Sequence, residues 1–153
     1  MTTPRQIRVL ALASGGGHWV QLMRLRAAFE GAEVHFATVD ATAGATVAPA
    51  PVHLYADANK DTKLRLIKAA LQLAVIVLKL RPDVVVSTGA AGGVLAIAIA
   101  RLIGARTMFI DSIANARQLS VSAKLAQKLA HRVLSQWPDV ARQSGAEFHG
   151  AVL

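Results

Sequence analysis

The sequence predicts an α/β fold with a Rossmann-like parallel sheet and helices on both faces. Three observations lead there. Short apolar runs alternate with segments of helical period, and two glycine-rich loops each stand between such a run and a helix. The core also has to come from Ala, Val, Leu and Ile, because 54% of the residues are hydrophobic and only 5% aromatic. Aliphatic strands between helices are the usual filling of a parallel sheet buried on both sides.

Ile7 to Ala13 is an apolar run that ends in Ser14-Gly15-Gly16-Gly17, after which Val20, Met23 and Ala27 recur at helical spacing between His18 and Phe29. Val34 to Val39 reads as a second strand, the Ala/Thr/Gly/Pro-rich stretch 41–51 as a loop or short helix, Val52 to Tyr55 as a third strand and Asp57 to Asp61 as a polar loop. Thr62 to Leu80 is a long helix stopped at Arg81-Pro82, since the residue before a proline is pushed out of the helical region. Asp83 to Ser87 is a buried strand. Thr88-Gly89-Ala90-Ala91-Gly92-Gly93 is the second glycine loop, opening an apolar helix to Leu102 with Gly104 just past its end. Thr107 to Ile110 is the next strand, Ser120 to His131 a helix, Val133 to Gln136 a strand, and Phe148 to Leu153 a last strand or the start of a connection.

At 153 residues, positions 1–153 are expected to form one domain. The 17 Lys and Arg against 9 Asp and Glu leave a net charge of +8, which favours an anionic partner. The aromatic residues are few and scattered, which argues against a stacking surface for nucleic acid. There is no cysteine, so disulfides, thiolate metal sites and thiol redox chemistry are excluded, and the histidines lack ligand spacing for a metal. Met1 to Gln6 runs straight into the first strand without a signal-peptide pattern, so the protein is expected to stay on the cytoplasmic side. No uncharged stretch reaches the roughly 20 residues of a membrane span, so any membrane contact is expected to be peripheral.

Glycines between a strand and a helix let backbone approach a ligand, and the helix dipole then favours phosphate. Gly15 and Gly17, with Asp40 further on, come near the dinucleotide fingerprint of an oxidoreductase, but Val20 fills its third glycine position. His18 follows the first loop at the edge where open sheets place ligands. It is either a group that takes a proton near neutral pH or simply the start of a helix. Asp111-Ser112 leaves a strand at the same edge, where the carboxylate can orient His18 or cap a helix.

From Lys63 to Arg81 there are five basic residues (Lys63, Arg65, Lys68, Lys79, Arg81) and no acid, around a middle that is apolar on every side except for Gln72. Such a helix is either wholly buried or laid on a membrane surface with its basic ends on lipid phosphates, and the second reading is expected, with Leu73 and Ile76 as contacts.

Ser14 to His18, Asp57-Ala58-Asn59-Lys60-Asp61, Ser87 to Ala91, Asp111-Ser112-Ile113-Ala114 and Gln136-Trp137-Pro138 together resemble the Alg-fourteen-like family, including its PssD-type bacterial members. The glycine loops also look like the N-terminal half of MurG. The resemblance implies a fold equivalent to the N-terminal domain of a GT-B glycosyltransferase, working as the acceptor-binding and membrane-associating subunit of a two-component inverting enzyme. Its implied partner is a donor-binding subunit of the Alg-thirteen-like, PssE type that brings a UDP-sugar for hexosyl, glucuronosyl or N-acetylglucosaminyl transfer. The implied acceptor is a polyprenyl-diphosphate-linked sugar, and no cofactor is implied. The eukaryotic members' N-terminal anchor is not seen, which points to a bacterial type anchored by Thr62 to Leu80.

Carried over residue by residue, the resemblance implies His18 as the base with Asp111 to orient it. It places the acceptor diphosphate on Ser14, Gly15, Gly16, Gly17, Thr88, Gly89, Ala90, Ala91 and Gly92, with Asn59, Lys60 and Ser112. A proline near Gly92 is the family expectation that this chain does not meet. A recruiting subunit without catalytic groups is the alternative, and an oxidoreductase domain a further one.

Overall fold

A computed structural model describes residues 4–58 and 62–152. Six parallel strands form one sheet: β1 (Arg8–Leu12), β2 (Glu33–Thr38), β3 (Val52–Leu54), β4 (Val84–Ser87), β5 (Arg106–Ile110) and β6 (Arg132–Leu134), in the order β3-β2-β1-β4-β5-β6. The helices are α1 (Gly16–Arg24), α2 (Lys63–Leu80), α3 (Ala91–Leu102), α4 (Val121–Ala126) and α5 (Pro138–Ser144), with 3-10 turns at Arg26–Phe29 and Ala43–Thr46. A six-stranded parallel sheet alternating with helices is the Rossmann-like class that the sequence predicts.

Alternate residues of each strand feed two cores. Leu10, Leu12, Val85, Phe109 and Val133 pack with Leu73 and Val77 of α2, Ile97 of α3 and Ala123 of α4. Val9, Ala11 and Phe36 pack on the other side with Trp19 and Leu22 of α1 and Val47. That second side is thinly covered. A cavity of about 680 Å³ runs along it, walled by Ile7, Val9, Val84, Val86, Met108 and Ile110.

Three boundaries differ from expectation. The helix expected to reach Phe29 ends at Arg24 and continues as a 3-10 turn, and the one expected to reach His131 ends at Ala126. Phe148 to Val152 makes no strand; Glu147 forms an isolated bridge with Leu134, and Gln136 Oε1 accepts from the Val152 amide at 2.8 Å. The α5 helix was not foreseen: proline at its first turn and Gly145 at its end are proper boundary signals, but only Val140 and Ala141 of its polar seven residues are buried.

Candidate functional site

The register aligns Leu12 with Ser87 and Ser87 with Phe109, so the loops after β1, β4 and β5 leave one edge of the sheet side by side. Between β1 and β4 the chain order reverses, and at such a switch point open α/β sheets leave a crevice for ligands. Both glycine loops flank it.

The loops are locked to one another. His18 Nδ1 lies 3.0 Å from the Thr88 carbonyl oxygen, and the Thr88 hydroxyl donates to the His18 carbonyl oxygen at 2.7 Å. A carbonyl can only accept, so Nδ1 carries a proton, and in the neutral ring the lone pair is then on Nε2. Gly89 makes the contact possible. Its φ is +140°, and a Cβ there would stand 2.3 Å from His18 Nδ1.

The start of α1 at Gly15 and that of α3 at Ala90 have no side-chain cap and no acid in the first turn. Gly16 and Gly17 are exposed, and Gly16 has a φ of +61°. First-turn amides without a capping side chain, together with the dipole, make each of these helix starts a place for an anion, while in α3 the Gly93 amide already donates to the Ala90 carbonyl oxygen at 3.1 Å. The glycine pair that stands where a proline is expected has its own steric cause. A Cβ on Gly92 would come 2.5 Å from Tyr55 Cε2, and one on Gly93 would come 2.0 Å from Ser87 Oγ.

Asp111 makes no hydrogen bond to His18 among the described residues. It is buried, and its carboxylate accepts from the Ser120 amide at 2.8 Å, the Ser120 hydroxyl at 2.7 Å and Asn115 Nδ2 at 3.0 Å. Ser120 in turn caps α4 through the Ala123 amide, so Asp111 braces the loop that enters this helix. Ser112 is also withdrawn: its hydroxyl accepts from Gln21 Nε2 at 3.1 Å and from the Ala114 amide. Thr88 is buried, with its hydroxyl committed to His18, so it contributes the clasp and no free donor. Asn59 and Lys60 lie outside the described residues.

Two glutamines that were assigned no site role, one of them in the quoted Gln136-Trp137-Pro138 motif, extend the network. Gln136 Nε2 donates to Gln21 Oε1 at 2.7 Å and to the Asp111 carbonyl at 2.9 Å, tying α1 to the ends of β5 and β6. Gln21 follows His18 by one helical turn, and a glutamine on the inward face of α1 was the available signal. Tyr55 was missed as well. Burial, with the Asp57 carboxylate adding to it, pushes its phenol well above the usual tyrosine range, so it stays a neutral donor.

The α2 helix corrects the expected membrane contacts. Leu73 is 0% exposed in the core beside Ala69 and Val77, and Ile76 packs against that core. The outward face instead carries Leu64, Ile67, Leu71, Val75 and Leu78, spaced three or four apart, with Leu64 78% and Leu71 65% exposed. Lys63, Arg65, Lys68, Lys79 and Arg81 are all exposed. No described helix is long and apolar enough to cross a membrane.

The profile of the family described as "Oligosaccharide biosynthesis protein Alg14 like" matches residues 56–152, more than half of the chain. The chain belongs to this Alg14-like family. Among solved structures, MurG of Acinetobacter baumannii superposes with a TM-score of 0.70 at 15% identity, over 88% of this chain and 43% of that one. UDP-N-acetylglucosamine 2-epimerase of Rickettsia bellii gives a TM-score of 0.73 at 12% identity, over 94% and 43%. A glycosyltransferase of Rickettsia africae ESF-5 gives 0.61 at 14% identity, over 86% and 37%. At such identities the likeness shows the fold alone, and this Alg14-like chain spans less than half the length of each. No curated protein sequence matches it. The family is described as one of oligosaccharide biosynthesis, and the fold is shared with MurG and the epimerase.

Proposed function

We propose that the protein is the acceptor-binding, membrane-associating subunit of a two-component inverting glycosyltransferase, which moves a sugar from a UDP-sugar to a polyprenyl-diphosphate-linked saccharide. The observation that carries this reading is the His18–Thr88 clasp, which holds a lone-pair nitrogen between two uncapped helix starts at the switch point. The acceptor diphosphate caps α1 and α3. His18 Nε2 then takes the proton of the acceptor hydroxyl as its oxygen bonds to the anomeric carbon. The bond from that carbon to the UDP β-phosphate oxygen breaks from the opposite side, so UDP leaves with the electron pair and the configuration inverts. Such a base contributes about 10²–10⁴-fold.

The donor half is taken to be a separate subunit, a reading supported by membership of the Alg14-like family. The outward stripe of α2 would lie on the cytoplasmic face of an anionic membrane, its flanking cations each contributing about 1 kcal/mol. Purified chain, purified partner and their mixture, assayed with UDP-sugars and a polyprenyl-diphosphate acceptor, test the reading; turnover by the single chain overturns the two-component part. A noncatalytic recruiting subunit is the second reading, favoured by one observation: no carboxylate bonds to His18 among the described residues. Full activity of His18→Ala in the complex would establish it.

A further inference from the structure

We infer that the Tyr55 hydroxyl is a ligand group of the anion site at the start of α3, donating to a phosphate oxygen seated on that helix's first turn. The inference rests on reading the glycine loops as a diphosphate site. Tyr55 is 5% exposed, and its hydroxyl has no hydrogen-bond partner among the described residues. Burying an unpaired hydroxyl is unfavourable for folding, and nearly all buried polar atoms are paired. Packing does not require the oxygen, because a phenylalanine ring fills the same space.

The neighbourhood supplies the reason for it. The ring lies against Gly92, where a Cβ would stand 2.9 Å from the hydroxyl, so the phenol borders the first turn of α3. That helix is 12 residues long, and its N-cap residue Ala90 offers no capping side chain. Phenol and first-turn amides are all donors, whereas phosphate oxygens accept, so one phosphate group satisfies both. A cation or a bare donor can meet the lone pairs of the phenol oxygen but not the amides, which only donate, so an anion is the group that serves both. The hydroxyl is enclosed, so phosphate reaches it by shifting the ring or the turn, and Gly92 puts no side chain between them.

Titration of the full chain with inorganic pyrophosphate, by calorimetry and by thermal unfolding, tests this. Tyr55→Phe should unfold at the same or a higher temperature, since it removes an unpaired hydroxyl, yet bind pyrophosphate about tenfold more weakly. In the complex with its partner, the same variant should raise KM for the lipid acceptor and leave kcat unchanged. Equal pyrophosphate binding by wild type and Tyr55→Phe overturns the inference about Tyr55 and leaves the loop reading intact. No binding by the wild type overturns both. A lowered unfolding temperature for Tyr55→Phe also overturns it, because the hydroxyl then has a structural task.

Discussion

His18 and Thr88 hold each other from both ends: the imidazole Nδ1 donates to the Thr88 carbonyl oxygen, and the Thr88 hydroxyl donates back to that of His18. The two bonds fix the ring's tautomer and its rotation together. They also join the loop after β1 to the loop after β4 without any residue from β5. Replacing His18 with Ala should lower turnover of the assembled enzyme by about 10²-fold or more while the chain stays folded. Activity beside thermal unfolding measures this; parallel loss of both would assign His18 to the fold instead.

Gly89 is where the clasp is most easily broken. Gly89→Ala forces a Cβ into His18 Nδ1 and strains a backbone at φ +140°. The expected result is a stability loss of about 1–3 kcal/mol and turnover as low as that of His18→Ala. Denaturant unfolding and the transfer assay read the two effects separately.

Asp111 should behave as a brace. Asp111→Ala leaves the Ser120 amide and hydroxyl and the Asn115 amide without their acceptor, at a cost of about 1–3 kcal/mol. Turnover of the folded fraction should stay near the parent's, since the carboxylate makes no hydrogen bond to His18 among the described residues. A fall in turnover of the folded protein comparable to that of His18→Ala would restore Asp111 to a role in orienting the base.

Most of the fold was legible because Ile7 to Ala13 and Asp83 to Ser87 can only be buried strands, and each ends in glycine. The clasp was half legible: His18 and Thr88 both stood in quoted motifs, but only the register brings position 18 beside position 88. The role of Asp111 was not, because a carboxylate leaving a strand serves a histidine or a helix cap equally well until residues 112–120 are placed. Nor was the phase of α2. Where Ala69 to Leu78 is apolar on nearly every side, periodicity cannot tell Leu73 from Leu71; only packing against α3 and the core they share does so.

A pH dependence follows from the edge of the sheet. His35 Nδ1 and His53 Nε2 lie 3.0 Å apart, and His35 Nε2 is 3.2 Å from Glu33 Oε1. Burial, and then the charge of His35, holds His53 below the ordinary histidine value of 6.5. The unfolded chain therefore binds the proton more readily, so this contribution to stability is complete above about pH 6.5 and is lost as pH falls through the lower folded value. Glu33, held low by hydrogen bonds from His35 and Arg8, adds a second decline below the usual carboxylate range. Unfolding temperatures from pH 8 to 4 should show the first decline flattened in His53→Asn; an unchanged curve would show that His53 does not titrate with folding.

The two sides of α2 give the sharpest separation of membrane contact from core. Leu71 and Val75 face outward and Leu73 faces the sheet, two residues away from each. Leu71→Asp with Val75→Asp removes apolar surface that is exposed among the described residues, so circular dichroism and unfolding temperature should stay near the parent's, because surface changes of this kind move stability by about 0.5 kcal/mol or less. Leu73→Asp buries a charge without a partner and should unfold the domain. Flotation with anionic liposomes then reads the contact directly: the folded double variant should stay at the bottom, and the parent's flotation should weaken as salt screens Lys63, Arg65, Lys68, Lys79 and Arg81. A folded double variant that floats as well as the parent would exclude this face as the membrane contact and leave its apolar stripe to a protein partner.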